Sequence, residues 1–237
     1  EVSNRVVRFN VNFNKGNKRF KLYPDDQILN KLGGFWYRDN PIIEKNRSKI
    51  SLPFINEKWI VLQGGSTRKQ NSHYKVNHQK NGFDFALINE QNKLYFGNKN
   101  KNESYFAYGK PVVAPVDGQI VSIIDGIKDN EPGHINRFYY SGNSIILKTK
   151  NNEFLFFGHL KNKSINLKVG DYVSKGKIIA NVGNSGISNY PQLHFHIQNI
   201  ENINGADSVK CYFDNLLVNG ELKHDYSPIK GEIISNN

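Results

Sequence analysis

The sequence predicts an all-β protein, an antiparallel barrel or sandwich with a β-rich segment ahead of it. Three observations carry this. Short runs alternate apolar and polar side chains at close intervals, as half-buried strands do. Gly, Asn, Asp and Pro punctuate the gaps between them. Long stretches with helical periodicity are scarce, and no sequence repeat stands out.

In chain order, residues 5–13 alternate in their second half and residues 19–22 form a shorter alternating piece, followed by polar loops punctuated by Gly33-Gly34 and Pro41. No catalytic constellation occurs there, so residues 1–58 read as an accessory segment. Residues 59–62 are a strand running into Gly64-Gly65. A polar loop then carries His73 and His78. In the strand that follows, Phe83, Phe85 and Leu87 alternate with Asp84 and Ala86, which turns Asp84 away from the large apolar groups. Residues 89–109 are a long polar loop, a length that points to function or mobility. Strands are predicted near 119–124, 142–148, 154–160 and 178–183, and a glycine-containing loop, 184–191, leads into Leu193-His194-Phe195-His196-Ile197-Gln198. Residues 209–213 and 232–234 read as added edge strands, so 59–204 is the expected central domain and 205–237 an extension.

Composition narrows the function. The 237 residues are 38% hydrophobic, enough for a core, and no apolar run reaches the roughly 18 residues of a membrane span. There is one cysteine, Cys211, so no internal disulfide forms. No methionine is present, position 1 included, so the numbering is expected to start after a processing or cloning boundary. The net charge of +11 suits nucleic acid, an anionic membrane surface or an anionic wall polymer. The lysines are scattered among asparagines, and no nucleic-acid-binding motif accompanies them, so a nucleic-acid partner is not expected.

The chemistry concentrates on the histidine strand. Side chains alternate along a strand, so His194 and His196 share one face while Leu193, Phe195 and Ile197 share the other. An isolated His-x-His is most often a pair of half-exposed strand residues. Here His159, Asp84 and one of His73 or His78 supply the remaining groups of a catalytic zinc site. Such a site needs three protein ligands and one open position. A nearby imidazole can then move the proton or hydrogen-bond a developing oxyanion.

Gly82-Phe83-Asp84-Phe85, Pro111-Val112-Val113-Ala114-Pro115-Val116-Asp117-Gly118, Phe157-Gly158-His159-Leu160, Val169-Gly170-Asp171 and Gly183-Asn184-Ser185-Gly186 through Leu193-His194-Phe195-His196 together resemble the LytM/lysostaphin-type zinc metallopeptidases. They occur in that family's order over residues 64–198. The resemblance implies a β-rich catalytic domain, one Zn2+ per chain, an extracellular or cell-envelope location and endopeptidase action on peptidoglycan peptides or cross-bridges. It maps Asp84 and His196 onto metal ligands and His159 and His194 onto catalytic histidines outside the metal shell. The family's usual His-x-x-x-Asp spacing would fall on Lys80; Asn71-Ser72-His73 resembles a variant, which makes His73 the expected first ligand, with His78 as the alternative. Gln192 stands where many members carry another histidine. Tyr190, just ahead of the catalytic strand, is expected to wall the substrate groove. The competing expectation is a non-catalytic wall-binding or activating module on the same scaffold.

Overall fold

A computed structural model describes residues 7–13, 16–24, 32–38 and 44–237. The chain divides into two compact units, 1–42 and 43–237. In the first, β1 (Val7–Phe13), β2 (Gly16–Pro24) and β3 (Leu32–Arg38) form a three-stranded antiparallel sheet in that order. Gly33 and Gly34, read from the sequence as loop punctuation, lie inside β3. The aromatic run Phe35-Trp36-Tyr37 favours the extended ladder against β2, and the glycines sit where its register slips, between Tyr23 and Pro24. Residues 5 and 6 of the first predicted strand, and Pro41, lie outside the described residues.

The second unit has β4 (Trp59–Gln63), β5 (Phe83–Leu87), β6 (Pro111–Val113), β7 (Gly118–Ile124), β8 (Asn143–Lys148), β9 (Phe154–Leu160), β10 (Tyr172–Val173), β11 (Ile178–Asn181), β12 (Leu193–Gln198), β13 (Ser208–Val209), β14 (Leu216–Val218), β15 (Glu221–Lys223) and β16 (Ile233–Asn236). An 11-stranded sheet runs β10-β7-β8-β9-β12-β5-β4-β16-β14-β15, with β13 also on β12, and β11 pairs with β6 separately. All pairings between these named strands are antiparallel; two isolated bridges, Lys45 with Lys210 and Ile50 with Phe213, are parallel. No α-helix occurs among these residues, only 3-10 turns, and no helix is long and apolar enough to cross a membrane.

β12 lies between β5 and β9. Phe83, Phe85, Leu193, Phe195, Ile197, Leu155 and Phe157 from these strands enter the core. Residues 44–58 contribute to it as well: Ile50, Leu52 and Phe54 are buried, and Phe54 stacks on Trp59 at 4.3 Å. The hairpin of β14 and β15 was not anticipated, although its signal is present. Asn219 and Gly220, at φ 51° and 89°, form the two-residue turn that Asn-Gly favours.

Candidate metal and proton-transfer site

Strand register decides what stands beside what. His194 lies opposite Asp84 on β5 and opposite Gly158 on β9. One step of the pleat further along, His196 faces Phe156 on β9 and has Gly82 on its other flank, where an added Cβ would lie 3.3 Å from that of His196. Only His194 therefore has a carboxylate as its cross-strand neighbour. Its Nδ1 is 2.8 Å from Asp84 Oδ1, and His73 Nε2 is 2.9 Å from Asp84 Oδ2. The ligand atoms of His73, Asp84 and His194 lie within 4.8 Å of one another. The sequence reading gave His196 to the metal and left His194 outside it; among the described residues the cluster instead contains His194. His196 Nδ1 sits 2.9 Å from His194 Nε2.

His73 reaches Asp84 because Asn71 folds its loop. Fully buried, Asn71 donates from Nδ2 to the carbonyl oxygens of Gly82, Lys80 and Gly65 at 3.0, 3.2 and 3.3 Å, and its Oδ1 accepts the His73 N–H at 3.0 Å. His73 thereby sits in the 3-10 turn Ser72–Lys75, capped by Asn71, with its ring against Asp84 of β5. The ring of His78 stands 5.7 Å from that of His196, and its buried Nε2 has no hydrogen-bond partner among the described residues.

His159 arrives by a break in alternation. Gly158 faces His194, so the next residue of β9 would turn to the other side. At φ 59° the backbone of His159 is left-handed, which is uncommon for a side chain with a Cβ and costs about 1–2 kcal/mol. The ring ends 5.9 Å from that of His194. Its Nδ1 lies 2.8 Å from the carbonyl oxygen of Ser185, which only accepts, so Nδ1 carries the hydrogen and Nε2 is bare. The Ser185 hydroxyl is itself held, donating to Leu160 O at 2.8 Å and accepting the Asn143 N–H at 2.9 Å.

Electrostatics follow from this packing. Burial opposes ionisation of Asp84, but the adjoining His73, its hydrogen bond and the close ring nitrogen of His194 outweigh it and hold the carboxyl far below its usual range. Burial pushes His73 down, and the charge and hydrogen bond of Asp84 more than restore it, leaving it above 6.5. Burial dominates at His194, lowered to about 4, and lowers His159 and His196 too. The site is thus one buried anion paired with the raised His73 and flanked by His194, His159 and His196, whose imidazoles burial keeps neutral.

The cleft above them is lined by Gln79, Tyr140, Phe156, His159, Ile187 and His194, among others. Buried Gln79 donates from Nε2 to the Tyr140 hydroxyl at 2.7 Å, leaving that hydroxyl's own hydrogen free for a ligand. Tyr190, the expected groove residue, stacks on Tyr105 at 6.0 Å, and burial followed by the charge of Asp84 raises its pKa. Gln79 and Tyr140 were not expected. Neither stands in a recognisable motif, and only the folded loops bring them to the cleft.

One buried and one part-buried carboxylate–imidazole contact, with nitrogen and oxygen donors, suit a zinc-type ion. Residues 101–207 match the model described as Peptidase family M23; His159 and His194 fall inside that stretch, and His73 and Asp84 precede it. No curated protein matches the sequence. Among solved structures, the chain is similar to the catalytic domain of the antimicrobial peptidase lysostaphin from Staphylococcus simulans, with 28% identity over 54% of this chain and 73% of that one and a TM-score of 0.35. Against the longer lysostaphin chain it shows 29% identity over 54% of its own length and 40% of the other's, again at 0.35. It is also similar to the catalytic domain of the prophage-encoded M23 protein EnpA from Enterococcus faecalis, with 20% identity over 67% and 94% of the two chains and a TM-score of 0.41. The family matched over residues 101–207 is peptidase family M23, the LytM/lysostaphin type that the motifs resemble.

Proposed function

We propose that this chain is a zinc-dependent endopeptidase that hydrolyses peptide bonds in bacterial peptidoglycan, outside the cell or in its envelope. The observation that carries the reading is the buried Asp84 carboxylate with imidazole nitrogens at 2.8 and 2.9 Å on its two oxygens. His73, Asp84 and His194 would hold the ion. This departs from the sequence expectation, which used His196, because register puts His194 across from the carboxylate. Zinc so held supplies Lewis acidity and a lowered pKa for water. His159, its Nδ1 tied to Ser185 O, offers a bare Nε2 that takes a proton and returns it to the leaving amine. Tyr140, braced by Gln79, is placed to donate to a substrate carbonyl oxygen as charge develops there. The surplus of Lys and Arg favours residence on anionic wall polymers. In this reading the compact unit 43–237 holds the peptidase; residues 44–58, expected to be accessory, and the expected extension 205–237 share its core, and 1–42 form the accessory unit.

One observation favours a second reading, a metal-holding module that binds wall peptide without cutting it. His194 and His196 have both ring nitrogens engaged, and Gln192 stands where a further histidine is common, which leaves His159 as the cleft's proton carrier. Zinc-loaded protein incubated with purified peptidoglycan, with mass analysis of released fragments, decides between them. New peptide termini that vanish on chelation are expected. Stoichiometric zinc with sacculus binding and no new termini would establish the binding module instead.

A further inference from the structure

The hydrogen-bond directions along β12 can be read from one fixed end. Gln198 is fully buried, and one terminal atom of its amide lies 2.8 Å from the backbone oxygens of both Ile200 and Glu201. Carbonyl oxygens only accept, so that atom is the NH2 nitrogen, and the amide oxygen is the one facing His196 Nε2 at 3.0 Å. An amide oxygen also only accepts, so His196 Nε2 carries the hydrogen. A neutral imidazole carries one, which leaves His196 Nδ1 bare against His194 Nε2 at 2.9 Å. His194 Nε2 must then be the donor. Its Nδ1 is left as a lone pair 2.8 Å from the Asp84 carboxylate, an encounter of two acceptors that calls for a positive charge between or beside them.

We propose that Gln198 and His196 are positioning residues whose directed hydrogen bonds fix His194 in the Nε2–H tautomer, presenting a bare Nδ1 toward Asp84 as a nitrogen ligand. The inference rests on the metal-site reading above and adds the reason His194 is the ligand. Metal-binding histidines generally donate their second N–H to an outer partner that sets ring orientation and basicity. Here that partner is another histidine, itself locked by an amide anchored on two carbonyls. Phe156 completes the arrangement by stacking on the His196 ring at 4.8 Å and 16°.

Two variants and one spectrum test this. His196→Phe preserves the stack on Phe156 and removes the acceptor; zinc affinity should fall about 10–100-fold with one ion still bound at saturation. His196→Asn places an acceptor oxygen near the former Nδ1 and should restore affinity to within about threefold of the wild type. Long-range 1H–15N correlation of the histidine rings in the wild type should give His196 as the Nε2–H tautomer with and without zinc. An Nδ1–H tautomer for His196, or a His196→Phe variant that binds zinc as tightly as the wild type, would overturn the proposal. So would loss of stoichiometric zinc in both variants, which would make His196 itself a ligand. If the wild type binds no zinc, the metal reading fails by itself, and the His196 tautomer still decides the hydrogen-bond order.

Discussion

Replacing Gly186 by alanine should cripple His159, the proposed proton carrier, from outside the cleft. Gly186 has φ 76°, and a Cβ there would press into the backbone nitrogen of Gly142 and the carbonyl oxygen of Tyr139, with the Gly142 Cα only 2.7 Å away. All three obstacles are backbone, so no side chain can rotate aside. The left-handed conformation costs about 1–2 kcal/mol for a residue with a Cβ, and forced overpacking adds about 1–3 kcal/mol. A loss near 3 kcal/mol lowers the melting temperature of a unit this size by about 6–12 °C. Gly170→Ala is the control: its φ is 101°, but nothing lies within 4 Å of the added Cβ, so it carries the conformational cost alone, about 2–8 °C. The Gly186 loop must move, and Ser185 O, which orients His159, moves with it. A displacement of about 1 Å at a catalytic group costs on the order of 10²-fold in rate. Thermal melts of the two variants, the His159 ring resonances and peptide hydrolysis at full zinc loading provide the assay. Zinc content should be unchanged, since His73, Asp84 and His194 lie elsewhere. If Gly186→Ala melts with Gly170→Ala, keeps the His159 resonances and cleaves at the wild-type rate, the loop does not position His159.

Three further outcomes are expected. His73→Ala and Asp84→Ala should each lose zinc by elemental analysis while His78→Ala retains it; zinc retained without His73 and lost without His78 would exchange the two loop histidines. His159→Ala should keep its zinc and cleave at least about a hundredfold more slowly, and near-normal turnover would make His159 structural. The metal-free protein should lose stability on acidification from pH 6.5 to 4. His194, held at about 4, together with the lowered His159 and His196, takes up protons in this window only on unfolding, His194 alone accounting for about 3 kcal/mol. The raised His73 has the opposite sign, contributing fully below 6.5 and fading as pH rises through its higher folded value. Urea midpoints across the window measure the sum, and a midpoint that rises on acidification would refute it.

Much of the fold was legible because alternation is a local property. The run from Leu193 to Gln198 declared its two faces, and Phe83, Asp84 and Phe85 declared theirs. The family was legible too, in the motifs and their order. What alternation cannot give is register. Whether Asp84 meets His194 or His196 depends on how β5 slides against β12, which is set by contacts far apart in sequence. His159 was legible as a residue but not as a geometry, since its strand position pointed it away from the cleft and a left-handed φ turned it back. Gln198 could have been found: it follows His194 and His196 at the same period of two.

The pairing of His194 with Asp84 spans 110 positions of chain. In the unfolded ensemble those groups have no tendency to meet, so a chelating arrangement exists only once β5 and β12 have docked. An ion that recognises the native state alone raises its stability by mass action, about 4 kcal/mol when free metal exceeds the dissociation constant a thousandfold. Slow assembly is the corollary, because antiparallel ladders between distant strands must close large loops before any contact rewards them. Refolding rate should therefore be insensitive to zinc, and the ion should act almost wholly by retarding unfolding, as a latch closed after the sheet is built.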